Sequence, residues 1–412
     1  VFCFMHKSFW KDAYINNKPD TLHKLFVKYG VDYVFSGHDH FYCQLIWDGI
    51  TYTQVGPSGS RYKQYKKEEY GAFQNFVLVT VKNNDVIIKV IKPDGSVLNS
   101  DIVTLPDIKE LEKIEQSLQI VQNEDTVEVL INNITDFSFN SRGKWEFNPK
   151  NWTIVPQETV VLIPPHGNKS FKFHWQTANE SVYPLPRFSI FYPYSKLGTK
   201  TYKVEKLFPV HRQAQCSKVS GVIKIDGQLN EKVWQKKSIN IFGSSEGNVS
   251  NTDPWWVSFA YDKDNLYIGA ILYDIKPDSI STKITERDDK VYNDDHINII
   301  LQPHVTQDTY YQFFINARGT VMDRKCYMIG KDSKKEFKWN SNIIVQTRIV
   351  KSKDFNGWIL EAALPLKDIT FKVPQTWGFN IARFQKRKEE VSVFSVPFEH
   401  NPKTFATLKF IY

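Results

Sequence analysis

The chain of 412 residues is too long for one ordinary hydrophobic core, and its 53 Lys and Arg against 45 Asp and Glu, a net charge of +8, are scattered along its length. That distribution suits solubility and gives no nucleic-acid footprint, and no apolar run approaches the length of a membrane span. Aromatic residues at 15 %, with 11 Trp, 20 Tyr and 29 Phe, favour β-sheet, while Cys3, Cys43, Cys216 and Cys326 are too sparse for a disulfide scaffold and read as buried apolar residues.

In chain order, the opening "VFCFMHKSFW" has no initiator Met, no signal-sequence pattern, and reads as the inside of a buried strand. The N-terminus of a longer protein is therefore expected to be missing. "PDTLHKLFVKYG" places Leu22, Leu25, Phe26 and Tyr29 on one helical face, with Gly30 as the stop. "VDYVFSG" is the next apolar run, so strand, helix and strand form a parallel α/β unit whose functional loops lie at the strands' carboxyl ends. His6 and the Gly37-His38-Asp39-His40 loop both fall at such ends. "NFVLVTVKNNDVIIKVIKPDGSVL" then alternates about Asn83-Asn84 and turns again at Pro93-Asp94-Gly95, which predicts hairpins. "LPDIKELEKIEQSLQ" is a charged helical connector, with a boundary near residue 117.

From 118 to 212, short strands punctuated by proline predict a small antiparallel sandwich of immunoglobulin-like type without a catalytic constellation. Sequons stand at Asn133, Asn151, Asn168, Asn179 and Asn248. From 213 to 412 the chain reads as one larger β-sandwich. "WWVSFAY" alternates cleanly, with Trp255, Val257, Phe259 and Tyr261 facing the core and Trp256, Ser258 and Ala260 facing away.

Imidazole is the commonest nitrogen ligand for zinc, iron or manganese, although a bare H-x-H more often bonds nearby carbonyls. The combination of "VFCFMHKSFW" and "VFSGHDHFY", with a helix between them, resembles the C-terminal part of the calcineurin-like metallophosphoesterase family over roughly residues 1 to 105. The resemblance implies a two-metal hydrolase of phosphomonoesters or phosphodiesters. His6 and His38 would ligate one Fe, Mn or Zn ion and His40 the other, and Asp39 would have no role. The family's upstream Asp-x-His, Gly-Asp and Gly-Asn-His segments do not precede Val1, and three imidazoles do not offset the repulsion of two dications. The polypeptide alone is expected to have little or no phosphatase activity, its intact parent being the enzyme.

The third segment resembles the family 9 carbohydrate-binding modules in "IDGQLNEKVWQ", "FAYDKDNLYIGAILYD", "VYNDDHINIILQP", "GWILEAALPL" and "WGFNIARF". Where sugar-binding members carry Trp before an Asp-Asp pair and Glu six residues after that Trp, this chain has Tyr292 and Asn298. Tyr still offers a stacking face and Asn a hydrogen bond. Trp256 is a second stacking candidate, whereas Trp234, Trp358 and Trp377 take core positions. Asp294 and Asp295 match the acidic pair and are candidates for a calcium ion. "ERDDK" at 286 to 290 reads as a solvated loop.

The fold class expected is thus mainly β and multidomain: a truncated α/β phosphoesterase domain over 1–117, a sandwich over 118–212 and a carbohydrate-module-like sandwich over 213–412. The function expected is the exported C-terminal portion of a phosphoesterase carrying a module for a glycan or polysaccharide. The alternative is a carbohydrate-binding or structural protein with a non-catalytic phosphoesterase remnant.

Overall fold

The computed structural model describes all residues except 60–66, 84, 99–102, 179–181, 195–199, 236–238, 331, 371–374 and 412. Asn84 of the expected hairpin turn and the sequon at Asn179 lie outside the described residues. The chain divides into two compact units, one of Val1–Trp145, Val155–Phe173 and Phe188–Lys206, the other of Glu146–Ile154, His174–Arg187 and Leu207–Tyr412.

The first unit begins with the expected parallel pair. Strand Phe2–Phe4 runs parallel to Tyr33–Ser36, which runs parallel to Ile50–Gln54, and Cys43–Trp47 closes this sheet as an antiparallel edge. Helices Phe9–Ile15 and Thr21–Lys28 connect the first two strands. The opening strand is not buried as its composition suggests: Phe4 is 74 % exposed, and Phe2, Tyr33, Phe35 and Phe4 form a ladder of stacked rings at the sheet's edge.

The second helix also differs from its apolar pattern. Leu22, Leu25 and Tyr29 are exposed, and the residue it buries is His23, stacked on Trp47 at 3.6 Å. His23 Nδ1 lies 2.8 Å from the Tyr52 hydroxyl and Nε2 lies 3.0 Å from Asp48. An imidazole sandwiched this way satisfies both ring nitrogens while burying its ring, and that decides which face turns inward.

Strands Phe76–Lys82, Asp85–Ile91 and Val97–Leu98 form the expected antiparallel meander. The segment Leu105–Ser117 is helical but is no solvated connector, for Leu105, Ile108, Leu111 and Ile114 are buried and the Thr104 hydroxyl caps it by accepting from Asp107 N at 3.2 Å. Downstream, strands Leu118–Gln122 and Thr126–Asn132 pair antiparallel, and Phe139–Glu146 pairs antiparallel with Glu158–Ile163. Trp145, packed edge-on against Phe173 and Phe188, fills the space between sheets.

In the second unit one long hydrogen-bonded path folds back on itself. It runs Asp332–Glu336, Val321–Ile329, Thr309–Asn316, His296–Gln302, Thr376–Gln385, Ala406–Ile411, Gln213–Lys218, Trp255–Tyr261, Asn265–Tyr273, Asn356–Pro365 and Ile344–Lys351. Ile297, Ile299, Phe313 and Ile381 from one half share a core with Val257, Phe259, Ile268, Trp358 and Leu360 from the other. This is a sandwich, with the parallel neighbours Gln213–Lys218 and Ala406–Ile411 at the fold of the path. Trp255, Val257, Phe259 and Tyr261 enter the shared core as their alternation predicts.

The quoted "IDGQLNEKVW" has a structural meaning. It straps the outer face of the second half, where buried Glu361 accepts from Asp226 N at 3.0 Å, Gly227 N at 2.9 Å and Trp234 Nε1 at 3.0 Å. Gly227 takes a left-handed φ of 75°, and a Cβ on Gly269 would lie 2.8 Å from the Trp234 ring, so glycine is required at both places. No helix among the described residues is long and apolar enough to cross a membrane.

Candidate functional site

The outer face of the first half of the large sandwich carries polar residues where a strand alternation would otherwise bring apolar ones. Alternation sends Ile297, Ile299, Phe313 and Ile315 into the core and turns Asn298, Gln312, Phe314, Met322 and Arg324 to the other side. There Arg324 Nε donates to Gln312 Oε1 at 2.8 Å, and Gln312 Nε2 donates to Asn298 Oδ1 at 2.9 Å. The ladder is nearly all buried, and burial draws the Arg324 guanidinium below its ordinary pKa while leaving it a cation at neutral pH.

Two exposed rings flank this ladder. Tyr292, 43 % exposed in the turn Val291–Asn293, meets Phe314 edge-on at 6.1 Å. Phe337, 59 % exposed just past the strand Asp332–Glu336, lies 5.5 Å from the Arg324 guanidinium, which is also 5.3 Å from Phe314. The face spans four neighbouring strands, about 14 Å at the usual inter-strand spacing. Chemically it offers two apolar ring faces for sugar C–H groups and fixed amide and guanidinium groups for hydroxyls. Asn298 keeps its Nδ2 without a protein acceptor among the described residues, while its Oδ1 serves Gln312.

Of the three residues named from sequence, Tyr292 and Asn298 lie together on this face. Trp256 does not join them: at 5 % exposure its ring is covered by packing and presents no face to a sugar. Gln312, Arg324 and Phe337 escaped the sequence reading. For Gln312 the signal available was a Gln at outward parity among the apolar and aromatic residues of Thr309–Asn316, whereas Arg324 stands between Asp323 and Lys325 and offered no such contrast.

Asp294 and Asp295 are buried and hydrogen-bonded to protein donors. Asp294 accepts from the Ser281 hydroxyl at 2.6 Å, Ile284 N at 2.8 Å and Asn316 Nδ2 at 3.1 Å; Asp295 accepts from Ser281 N at 2.8 Å and Lys386 N at 3.1 Å. They anchor the loop before strand His296–Gln302. In "ERDDK", Arg287 is drawn inward to buried Asp323 through a 2.8 Å ion pair. The sequon asparagines divide likewise. Asn133 is buried, donating to the Phe137 carbonyl at 2.8 Å, and Asn151 donates to the Tyr183 carbonyl at 2.8 Å, whereas Asn168 and Asn248 are exposed.

In the first unit, His6 and His38 come together at the carboxyl ends of the two parallel strands, with His38 Nδ1 3.0 Å from His6 Nε2 and the rings near perpendicular. His40 lies in the same loop, but among the described residues no group of three or more His, Cys, Asp or Glu is arranged to hold a metal ion. The two imidazoles suit one divalent ion with exogenous ligands. They do not fit a two-ion centre, which needs bridging carboxylate that this donor set lacks.

Residues 225–400 match the family described as "Carbohydrate family 9 binding domain-like". Among solved structures, similarity extends to a carbohydrate binding module family 9 from Caldicellulosiruptor kristjanssonii in complex with cellotriose, at 15 % identity and a TM-score of 0.35, covering 48 % of this chain and 93 % of that one. The same module in complex with glucose gives 15 % identity, a TM-score of 0.34 and coverage of 48 % and 96 %. A Bacteroides uniformis protein described as carbohydrate-binding gives 13 % identity, a TM-score of 0.37 and coverage of 49 % and 100 %. No curated protein matches the chain. Residues 225–400 thus form a domain like the family 9 carbohydrate-binding modules.

Proposed function

We propose that the large sandwich binds a glycan on the face built from Tyr292, Asn298, Gln312, Phe314, Arg324 and Phe337. The observation that carries this reading is the pair of exposed rings flanking a buried Asn-Gln-Arg ladder. A ladder of that kind is costly to bury unless its directionality is used, because each amide and guanidinium group forfeits water. Stacking supplies most of the affinity, and the ladder selects hydroxyl geometry. Retention of the full chain in affinity gels containing cello-oligosaccharide polymers or other polysaccharides tests it. Retention lost in Tyr292→Ala and Phe337→Ala supports the reading, and unchanged migration on every polysaccharide leaves the face structural.

A second reading rests on the His6–His38 pair: a divalent cation bound between the two imidazoles at the head of the parallel strands, as part of a phosphoesterase centre completed by groups outside this chain. Bound there, the ion would supply Lewis acidity toward a phosphoryl oxygen. Calorimetric titration with Zn²⁺ or Mn²⁺ is expected to show one tight site per chain, lost in His6→Ala. The absence of any tight site would contradict the reading, as would two tight sites per chain.

A further inference from the structure

The loop Gly37–Phe41 is unusual in its backbone. His38 has φ 80° and His40 has φ 53°, so two non-glycine residues flanking Asp39 sit in the left-handed region. Asp39 N donates to the Gly37 carbonyl at 3.1 Å, which with the positive φ makes His38 the centre of a γ-turn of the rare, strained hand. Each such residue is strained and persists only where its surroundings over-determine it.

The surroundings come from one short segment. The His6 carbonyl accepts from Gly37 N at 3.0 Å, and the Ser8 hydroxyl donates to the Gly37 carbonyl at 3.2 Å. Lys11, from the first turn of helix Phe9–Ile15, pairs its ammonium with the Asp39 carboxylate and lays it 4.6 Å from the Phe41 ring centre. Thus residues 6 and 8 hold Gly37, and Lys11 holds Asp39 and Phe41. The Lys11 side chain is largely shielded from water, where an ion pair is screened less than on the surface.

We propose that Lys11 is a positioning residue: through Asp39 and Phe41 it holds the strained turn that presents the His38 imidazole to His6. A residue at the position between the two loop histidines, without a role in the resemblance, thereby becomes the handle of the loop. The inference rests on the metal reading for what the positioning serves, and on the loop contacts for the positioning itself.

Histidine-selective ¹⁵N labelling of the full chain tests it, with the paired imidazole signal assigned by its loss in His6→Ala. The wild type is expected to show His6 Nε2 and His38 Nδ1 ¹⁵N resonances displaced by their mutual hydrogen bond, a readout that does not depend on slow proton exchange at this exposed pair. Lys11→Met, which removes the charge while keeping a long flexible side chain, should lose this displaced signal at unchanged circular dichroism; Asp39→Asn should lose it too, and Lys11→Arg should keep it. In parallel, Zn²⁺ affinity should weaken roughly tenfold in Lys11→Met, which corresponds to about 1.4 kcal/mol. A Lys11→Met spectrum that keeps the signal, or a wild type that lacks it, overturns the proposal. If the signal behaves as expected but the wild type takes up no Zn²⁺, the metal reading falls and the positioning role stands.

Discussion

Glu361 is the residue on which the strap over the second half of the large sandwich depends. Its carboxylate is wholly buried, raised above the usual carboxylate pKa by burial, and committed to two backbone amides and an indole. Glu361→Ala would leave three donors, two of them buried, without an acceptor, and a loss of about 3 kcal/mol is expected. Glu361→Gln keeps an acceptor and should cost less. Chemical denaturation of the full chain checks both, with the exposed Glu399→Ala as the reference substitution. Trp358 tests packing instead of polarity: fully buried among Val257, Phe259 and Leu360, its replacement by Ala should cost about 3 to 5 kcal/mol. In the sequence Trp358 takes a core position through the resemblance to the family 9 modules. Nothing local in the sequence marks Glu361, on the same strand, because its partners lie about 130 positions earlier.

At the scale of the element, strand His296–Gln302 carries both a core face and the proposed binding face. His296 sits at its start, buried between Phe314 and Phe384 at 5.6 and 5.4 Å, with Nδ1 2.8 Å from the Asp294 carbonyl. Burial pulls its pKa down to about 4 from 6.5. A histidine held neutral in the fold and protonated in the unfolded chain contributes stability that is complete above pH 6.5 and is lost as pH falls toward 4. The loss is on the order of 3 kcal/mol at full effect. His400, 3.0 Å from the Tyr310 hydroxyl, is lowered to about 4 by burial, with Lys335 and Arg324 adding to it, and acts in the same window. Glu361 acts in the opposite sense, since a raised carboxyl pKa favours the fold at low pH. The measure is therefore a difference: the drop in denaturation midpoint between pH 7 and pH 4.5 should shrink in His296→Gln relative to the wild type. An identical drop in the two proteins would remove His296 as a cause.

At the scale of the whole molecule, the match to residues 225–400 understates the domain. Strand Gln213–Lys218 hydrogen-bonds to both Ala406–Ile411 and Trp255–Tyr261, and no other described strand joins those two. A chain starting at residue 225 would expose the edges of both neighbours and open the core that holds Ala214 and Cys216. Expressed alone, residues 208–412 are expected to melt cooperatively, while 225–412 should aggregate or melt without a transition. Light scattering and calorimetry on the two pieces check this.

Local periodicity determined much of this protein. The parallel strands with a helix between them, the alternation of "WWVSFAY", and the placement of His6 and His38 at strand ends follow from residues that are neighbours in the chain, and so could be read from it. Tertiary structure decided the rest, because burial is a property of what arrives from far away. Helix Thr21–Lys28 turned His23 inward against Trp47 and left its leucines outside. Asp294 and Asp295 became buried anchors of the loop before strand His296–Gln302, Trp256 was covered, and Asn298 acquired Gln312 and, through it, Arg324 across three strands. For the same reason Lys11, an ordinary surface lysine in the sequence, became the grip on Asp39 once the first helix packed against the loop.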